Sequence, residues 1–185
     1  MPTAQATVAG GCFWCVEAAF ERVRGVESTV SGYCGGHADD PTYEAVCAGT
    51  TGHAEAVQIT YDPEEISYED ILEVFFTIHD PTTEDRQGPD VGSQYRSGVY
   101  YHDEEQRQTV EAYIDHLEES GEYSGIVTEI APLETFYRAE EKHQDYFEKA
   151  RDGHGNIQDA YCSIHVPPKI EKMETKHPDK VKPEE

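Results

Sequence analysis

A cysteine that follows two glycines and opens an apolar helical run is placed to act as a nucleophile, and Gly10-Gly11-Cys12-Phe13-Trp14-Cys15 is such a stretch. The first N–H groups of a helix have no partner within it and carry a partial positive charge. They favour a thiolate, so this position predicts a Cys12 pKa below the ordinary thiol value of about 8.5. The glycines allow a sharp turn and leave the sulfur uncovered. Phe13 and the only tryptophan, Trp14, then read as exposed rings that form a small apolar pocket for the group under attack.

A thiol attacking a polar, oxygen-bearing substrate needs an acid for the departing oxygen and donors that hold it while charge builds. Glu55 stands where a long loop meets a strand, and burial beneath aromatic rings would raise its pKa enough to make it a proton donor at neutral pH; left in solvent it is one carboxylate among many. Tyr43 and Tyr95 lie in loops and offer phenols that donate without ionising, although packing alone would also account for them. Asp90 reads either as a turn former or as the group that holds the site's hydrogen bonds in order. His53 reads as a hydrogen-bonded structural group.

Cys12 and Cys15 also form a Cys-x-x-Cys, a spacing used by dithiol oxidoreductases and by zinc sites. Zinc would need a second close pair, and Cys34, Cys47 and Cys162 are single and scattered. The bulky Phe13-Trp14 between the thiols argues against a thioredoxin-like active turn. Five cysteines make an odd set without framework spacing, which in a reducing compartment points to redox or metal chemistry rather than to structural bridges.

The elements that must position these groups follow from hydrophobic periodicity. Strands are expected over residues 3–9, 26–33, 55–61, 99–101 and 126–131. Helices are expected from Phe13 to about Gly25, from Ser67 to about His79 behind a Ser67/Asp70 capping box, over 104–120, and over 140–150. Loops over 34–53 and 80–97 are long enough to read as functional. From Pro167 onward prolines and charges dominate, which predicts a mobile tail with nothing to pack. Alternating strands and helices predict an α/β or α+β sandwich with one mixed sheet.

The chain has 185 residues, enough for one domain with a core of its own. Asp and Glu number 38 against 14 Lys and Arg, and the resulting net charge of -24 opposes binding to nucleic acid or to an anionic membrane. The acidity is spread along the chain, which predicts a heavily hydrated surface suited to a high-salt cytoplasm. No stretch has the pattern of a targeting segment or a membrane helix, and a cytoplasmic location is expected.

Gly11-Cys12-Phe13-Trp14 joins Gly32-Tyr33-Cys34-Gly35-Gly36, Pro41-Thr42-Tyr43, Gly49-Thr50-Thr51-Gly52-His53-Ala54-Glu55 and His79-Asp80-Pro81-Thr82-Thr83. With Arg86-Gln87-Gly88, the run from Asp90 to Ser97, and Glu141-Lys142-His143-Gln144-Asp145-Tyr146, the chain resembles the peptide methionine sulfoxide reductase A family. The resemblance implies an α+β two-layer sandwich with a mixed sheet and a ferredoxin-like core, an irregular C-terminal segment, a catalytic domain over 1–166 and a charged, proline-bearing tail over 167–185. It implies repair of oxidised proteins by reduction of methionine S-sulfoxide, free or in a protein chain, with no metal or organic cofactor. Cys12 would attack the sulfoxide sulfur, Glu55 would protonate its oxygen, Tyr43 and Tyr95 would bind that oxygen, Asp90 would organise the group, and Phe13 and Trp14 would cradle the methyl. A second thiol would turn the resulting sulfenic acid into a disulfide, which thioredoxin or a similar dithiol protein reduces. Among the resolving candidates Cys162 is favoured, with Cys15 second because bridging within a helix start would require unwinding, and Cys47 third.

Overall fold

The computed structural model describes residues 3–123, 125–146 and 159–182, and of 159–166 the backbone alone. A six-stranded sheet is built from β1 (Ala4–Ala9), β2 (Val26–Cys34), β3 (Ala54–Tyr61), β6 (Gly98–Tyr101), β7 (Glu129–Pro132) and β8 (Tyr137–Arg138), in the spatial order β7-β6-β1-β3-β2-β8. Every pairing is antiparallel except β6 with β7. The central order β6-β1-β3-β2 is that of a ferredoxin-like βαββαβ unit, as expected. A small hairpin, β4 (Arg86–Gln87) with β5 (Asp90–Val91), forms within the loop that precedes β6.

Strand alternation sorts the side chains. Ala6 and Val8 of β1, Tyr33 of β2, Val57 and Ile59 of β3 and Val99 of β6 face the main core beneath α1 (Phe13–Glu21), α3 (Tyr68–Ile78) and α4 (Glu104–Ser120). Glu55 stands two residues before Val57 and so points to the same face. Ala9, Cys34, Ala54, Ala56 and Tyr100 face the other way, toward Leu133 and Phe136. The Ser67/Asp70 capping box starts α3, each side chain bonded to the other's backbone N–H at 3.1 Å. Gly121, at φ 78°, ends α4.

Three expectations are corrected. The loop over 34–53 contains a short helix, α2 (Tyr43–Cys47), started by Thr42, whose side chain accepts from Ala45 N–H. The first turn of the helix expected over 140–150 is a 3-10 turn at Glu141–His143; Tyr146 is helical, and residues 147–150 lie outside the described ones. Among the described residues the C-terminal segment is neither irregular nor unpacked: α5 (Asp159–Lys176) runs across the expected 166/167 boundary and packs on α1 and α3. Ile170 and Met173, three residues apart and so on one helix face, are both buried. Beyond α5, Val181 bridges Val23, and Lys180 reaches Glu73 at 3.1 Å and Asp70 at 3.5 Å. Pro167 and Pro168 lie within α5, and the buried residues Ile170 and Met173 follow them. No helix among the described residues is long and apolar enough to cross a membrane.

Candidate active site

Cys12 is the N-cap of α1, with an extended backbone at φ -60°, ψ 126°. Gly10 and Gly11 bring it there by close packing: a Cβ on Gly10 would stand 2.9 Å from the Phe75 ring, and one on Gly11, at φ 92°, 2.6 Å from the Gln87 side chain. The expected depressed thiol pKa is corrected. Cys12 is only 6 % exposed, and burial raises its pKa well above the ordinary thiol value, helped by the Cys15 thiol and by the charge of Glu55. The N–H of Trp14 works in the other direction but does not prevail. In the resting protein Cys12 is therefore a buried thiol that the loss of solvation holds in its protonated form.

Glu55 is where the sequence placed an acid. It is 1 % exposed, its Oε1 accepts from Phe13 N–H at 3.3 Å, and its Oε2 is buried with no hydrogen-bond partner among the described residues. Burial pushes its carboxyl up to about 8 against the lowering effect of the Phe13 N–H, with the charges of Asp90 and Cys15 adding to the rise. The group is neutral at neutral pH, and Oε2 is the oxygen placed to carry the proton.

Tyr43 and Tyr95 are half-buried phenols near this carboxyl. Burial and the charge of Glu55 hold both well above the ordinary phenol range, so both remain donors. Tyr95 lies within electrostatic range of Glu55, Cys12 and Asp90 together. Asp90 pairs with Gln87 across the small hairpin. His53 is structural, accepting from Gly36 N–H at 3.0 Å and bonded to the Ala38 carbonyl at 2.7 Å.

Phe13 and Trp14 are not the exposed rings expected, since both are buried as part of an aromatic cluster. Phe13 stacks on Tyr43 at 6.2 Å and meets Tyr33 at 5.8 Å. Trp14 stacks on Tyr146 at 4.1 Å and donates from Nε1 to His143 Nδ1 at 3.2 Å. His143 also lies 4.3 Å from the Tyr43 ring, closing the wall. Reading the sequence residue by residue assigned nothing to His143, Tyr146 or Glu140, although the first two stand in the Glu141 to Tyr146 motif. Glu140 holds two parts of the wall, accepting from Tyr33 OH at 3.0 Å and from Tyr43 N–H at 3.2 Å. Gln144 ties the segment to β2 through the N–H and the carbonyl of Ser31.

Among the other cysteines, Cys34 is buried on the opposite face of the sheet and Cys47 is exposed at the end of α2. The side chain of Cys162 lies outside the described ones. A metal-capable grouping among the described residues, Glu17, Glu21 and Asp145, includes none of the cysteines.

A buried thiol, a neutral carboxyl, two phenols and an aromatic wall make a site for a small sulfur–oxygen substrate. The family model for peptide methionine sulfoxide reductase matches residues 4–181. This chain belongs to that family. The peptide methionine sulfoxide reductase MsrA of Natronomonas pharaonis is 64 % identical over 180 residues, covering 97 % of this chain and 98 % of that protein. Among solved structures, methionine sulfoxide reductase A of Corynebacterium diphtheriae matches with a TM-score of 0.74 and 35 % identity over 84 % of this chain and 79 % of that one. Mxr1 of Saccharomyces cerevisiae, solved in complex with Trx2, matches with a TM-score of 0.51 and 25 % identity over 78 % of this chain and 84 % of that one. The matched residues, 4–181, take in the whole of α5.

Proposed function

We propose that this protein reduces methionine S-sulfoxide, free or within oxidised proteins, to methionine, and that a dithiol protein of the thioredoxin type restores it, in the cytoplasm. The observation that carries the reading is Glu55, a carboxyl sealed beside the nucleophile and neutral at neutral pH. Tyr43, Tyr95 and Glu55 would donate to the sulfoxide oxygen, with Asp90 keeping the Glu55 proton in place through its charge. Transfer of that proton makes the sulfoxide sulfur electrophilic, and the Cys12 sulfur attacks it. A sulfur–sulfur bond forms as the substrate's sulfur–oxygen bond breaks, and the oxygen leaves as water with the Glu55 and thiol protons. That water then adds to the Cys12 sulfur, the sulfur–sulfur bond breaks and methionine leaves. Cys12 is left as a sulfenic acid, and the proton the water gives up returns to Glu55. Overall, a thiol and a sulfoxide become a sulfenic acid and a sulfide. Phe13, Trp14, Tyr146 and His143 would hold the methyl group that accompanies the reacting sulfur.

The steady-state rates on the two sulfoxide epimers, with dithiothreitol as reductant, test this reading. Turnover of the S epimer with the R epimer untouched is expected. Equal rates on both, or reduction of protein disulfides alone, would replace it with a general thiol oxidoreductase.

A further inference from the structure

Glu17 is a buried carboxyl that the active site does not use. It lies in α1, three residues after Trp14, and is 2 % exposed. Its Oε2 is buried with no hydrogen-bond partner among the described residues. The Oγ of Ser31, on β2 near this carboxyl, is buried and has no partner in hydrogen-bonding geometry either. Oxygens left so in the interior cost free energy until a donor or a positive charge meets them.

Two more carboxylates converge on the spot. Glu21 follows Glu17 by one turn of α1 and is oriented by Thr29, whose Oγ1 donates to its Oε1 at 3.3 Å. Asp145 comes from the segment over 139–146, and one oxygen from each of the three side chains lies within 4.8 Å of the others. Burial and the charge of Asp145 push Glu17 up to about 7. Like charges at this helical spacing repel, and a cation among them would turn repulsion into attraction. Lys182 lines a surface recess of about 260 Å³ with Glu21 and Asp145 but not with Glu17, so the buried carboxyl is not among the groups it faces there.

We propose that Glu17, Glu21 and Asp145, with the Oγ of Ser31, bind one divalent cation of the calcium type, which fastens the segment over 139–146 to α1. An all-oxygen set suits a hard cation. Calcium takes roughly six to eight oxygens at about 2.3–2.6 Å in flexible geometry, so ligands of one ion stand up to about 5 Å apart. Magnesium demands a near-ideal octahedron and keeps most of its waters. Asp145 is exposed, which leaves water free to fill the remaining positions. Tyr146 follows Asp145 and stacks on Trp14 at 4.1 Å, so an ion held here would steady the aromatic wall of the active site.

The test uses the full chain, stripped of metal by a chelator and kept in molar potassium chloride to screen the acidic surface. Calcium chloride is titrated in and followed by calorimetry, by the thermal midpoint and by the emission of Trp14, the only tryptophan. One saturable site per chain is expected, with a higher midpoint and a change in Trp14 emission at the same equivalence point. Glu17→Gln, and Asp145→Asn as a second variant on the exposed side, should each weaken that site roughly tenfold or more, and magnesium chloride should bind as much more weakly. Glu174→Gln, on the exposed face of α5, should leave it unchanged. No saturable binding, or an affinity that a folded Glu17→Gln or Asp145→Asn protein retains, means an adventitious ion only and overturns the proposal. Equal affinity for magnesium overturns the calcium-type assignment. None of these readouts uses turnover, so the site stands or falls apart from the reductase reading.

Discussion

Burial with the charge of Glu55 raises the proton affinity of Cys12, and burial with the charges of Asp90 and Cys15 raises that of Glu55. Only one of them needs to be charged at any stage of the reaction, and the acid is the group that must begin neutral. Glu55, pushed up to about 8, keeps its proton below that pH and loses it above. Single-turnover methionine release is therefore expected to fall as pH rises past about 8; a rate that climbs on to pH ~10 would mean that Glu55 is not the acid. Glu55→Gln should lower sulfoxide reduction by about 10²–10⁴-fold, the usual worth of a positioned acid. The same substitution removes the charge that raises Cys12, so alkylation of Cys12 by iodoacetamide above pH ~8 should become faster than in the wild type. A general collapse of the site would expose Cys12 and speed its alkylation at every pH, whereas a specific acid role speeds it only above about pH 8, where wild-type Glu55 is charged.

At the scale of elements, the start of α1 and the segment over 139–146 build the site from opposite ends of the chain. The first delivers Cys12, Phe13 and Trp14 by local geometry, and the second covers them through His143, Tyr146 and the two bonds of Glu140. Helix α5 supports α1 from behind. Met173 is fully buried between α5 and the core, so Met173→Ala should cost about 2–5 kcal/mol, measured by urea unfolding. A cost near zero would mean that the C-terminal residues are the loose tail that their prolines and charges had suggested. The sequence was misleading here because a short apolar pair, Ile170 and Met173, carries a weak periodic signal among many charges. Its burial depends on a groove that α1 and α3 provide.

For the whole molecule, the net charge of -24 acts against compaction. Described ion pairs such as Lys180 with Asp70 and Glu73 offset this only locally. Screening relieves the remaining repulsion, so the thermal midpoint should rise between low ionic strength and molar potassium chloride. Equal midpoints in the two would show that surface repulsion does not limit stability. The fold tolerates such a surface because its apolar residues are gathered on one face of the sheet beneath the helices, with a smaller cluster behind.

Five strands of the sheet, α1, α3 with its cap, α4, and the positions of Cys12 at the mouth of α1 and Glu55 at the head of β3 were legible in the residues, because periodicity, capping and glycine placement are local. Only the tertiary structure decided that Phe13 and Trp14 are buried, that His143 and Tyr146 complete their wall, that α5 packs, and that the Cys12 pKa goes up rather than down. Those outcomes depend on which distant groups exclude water from a site. A helix start favours a thiolate through a partial charge, whereas burial opposes it through loss of solvation, and at Cys12 the second effect is the larger.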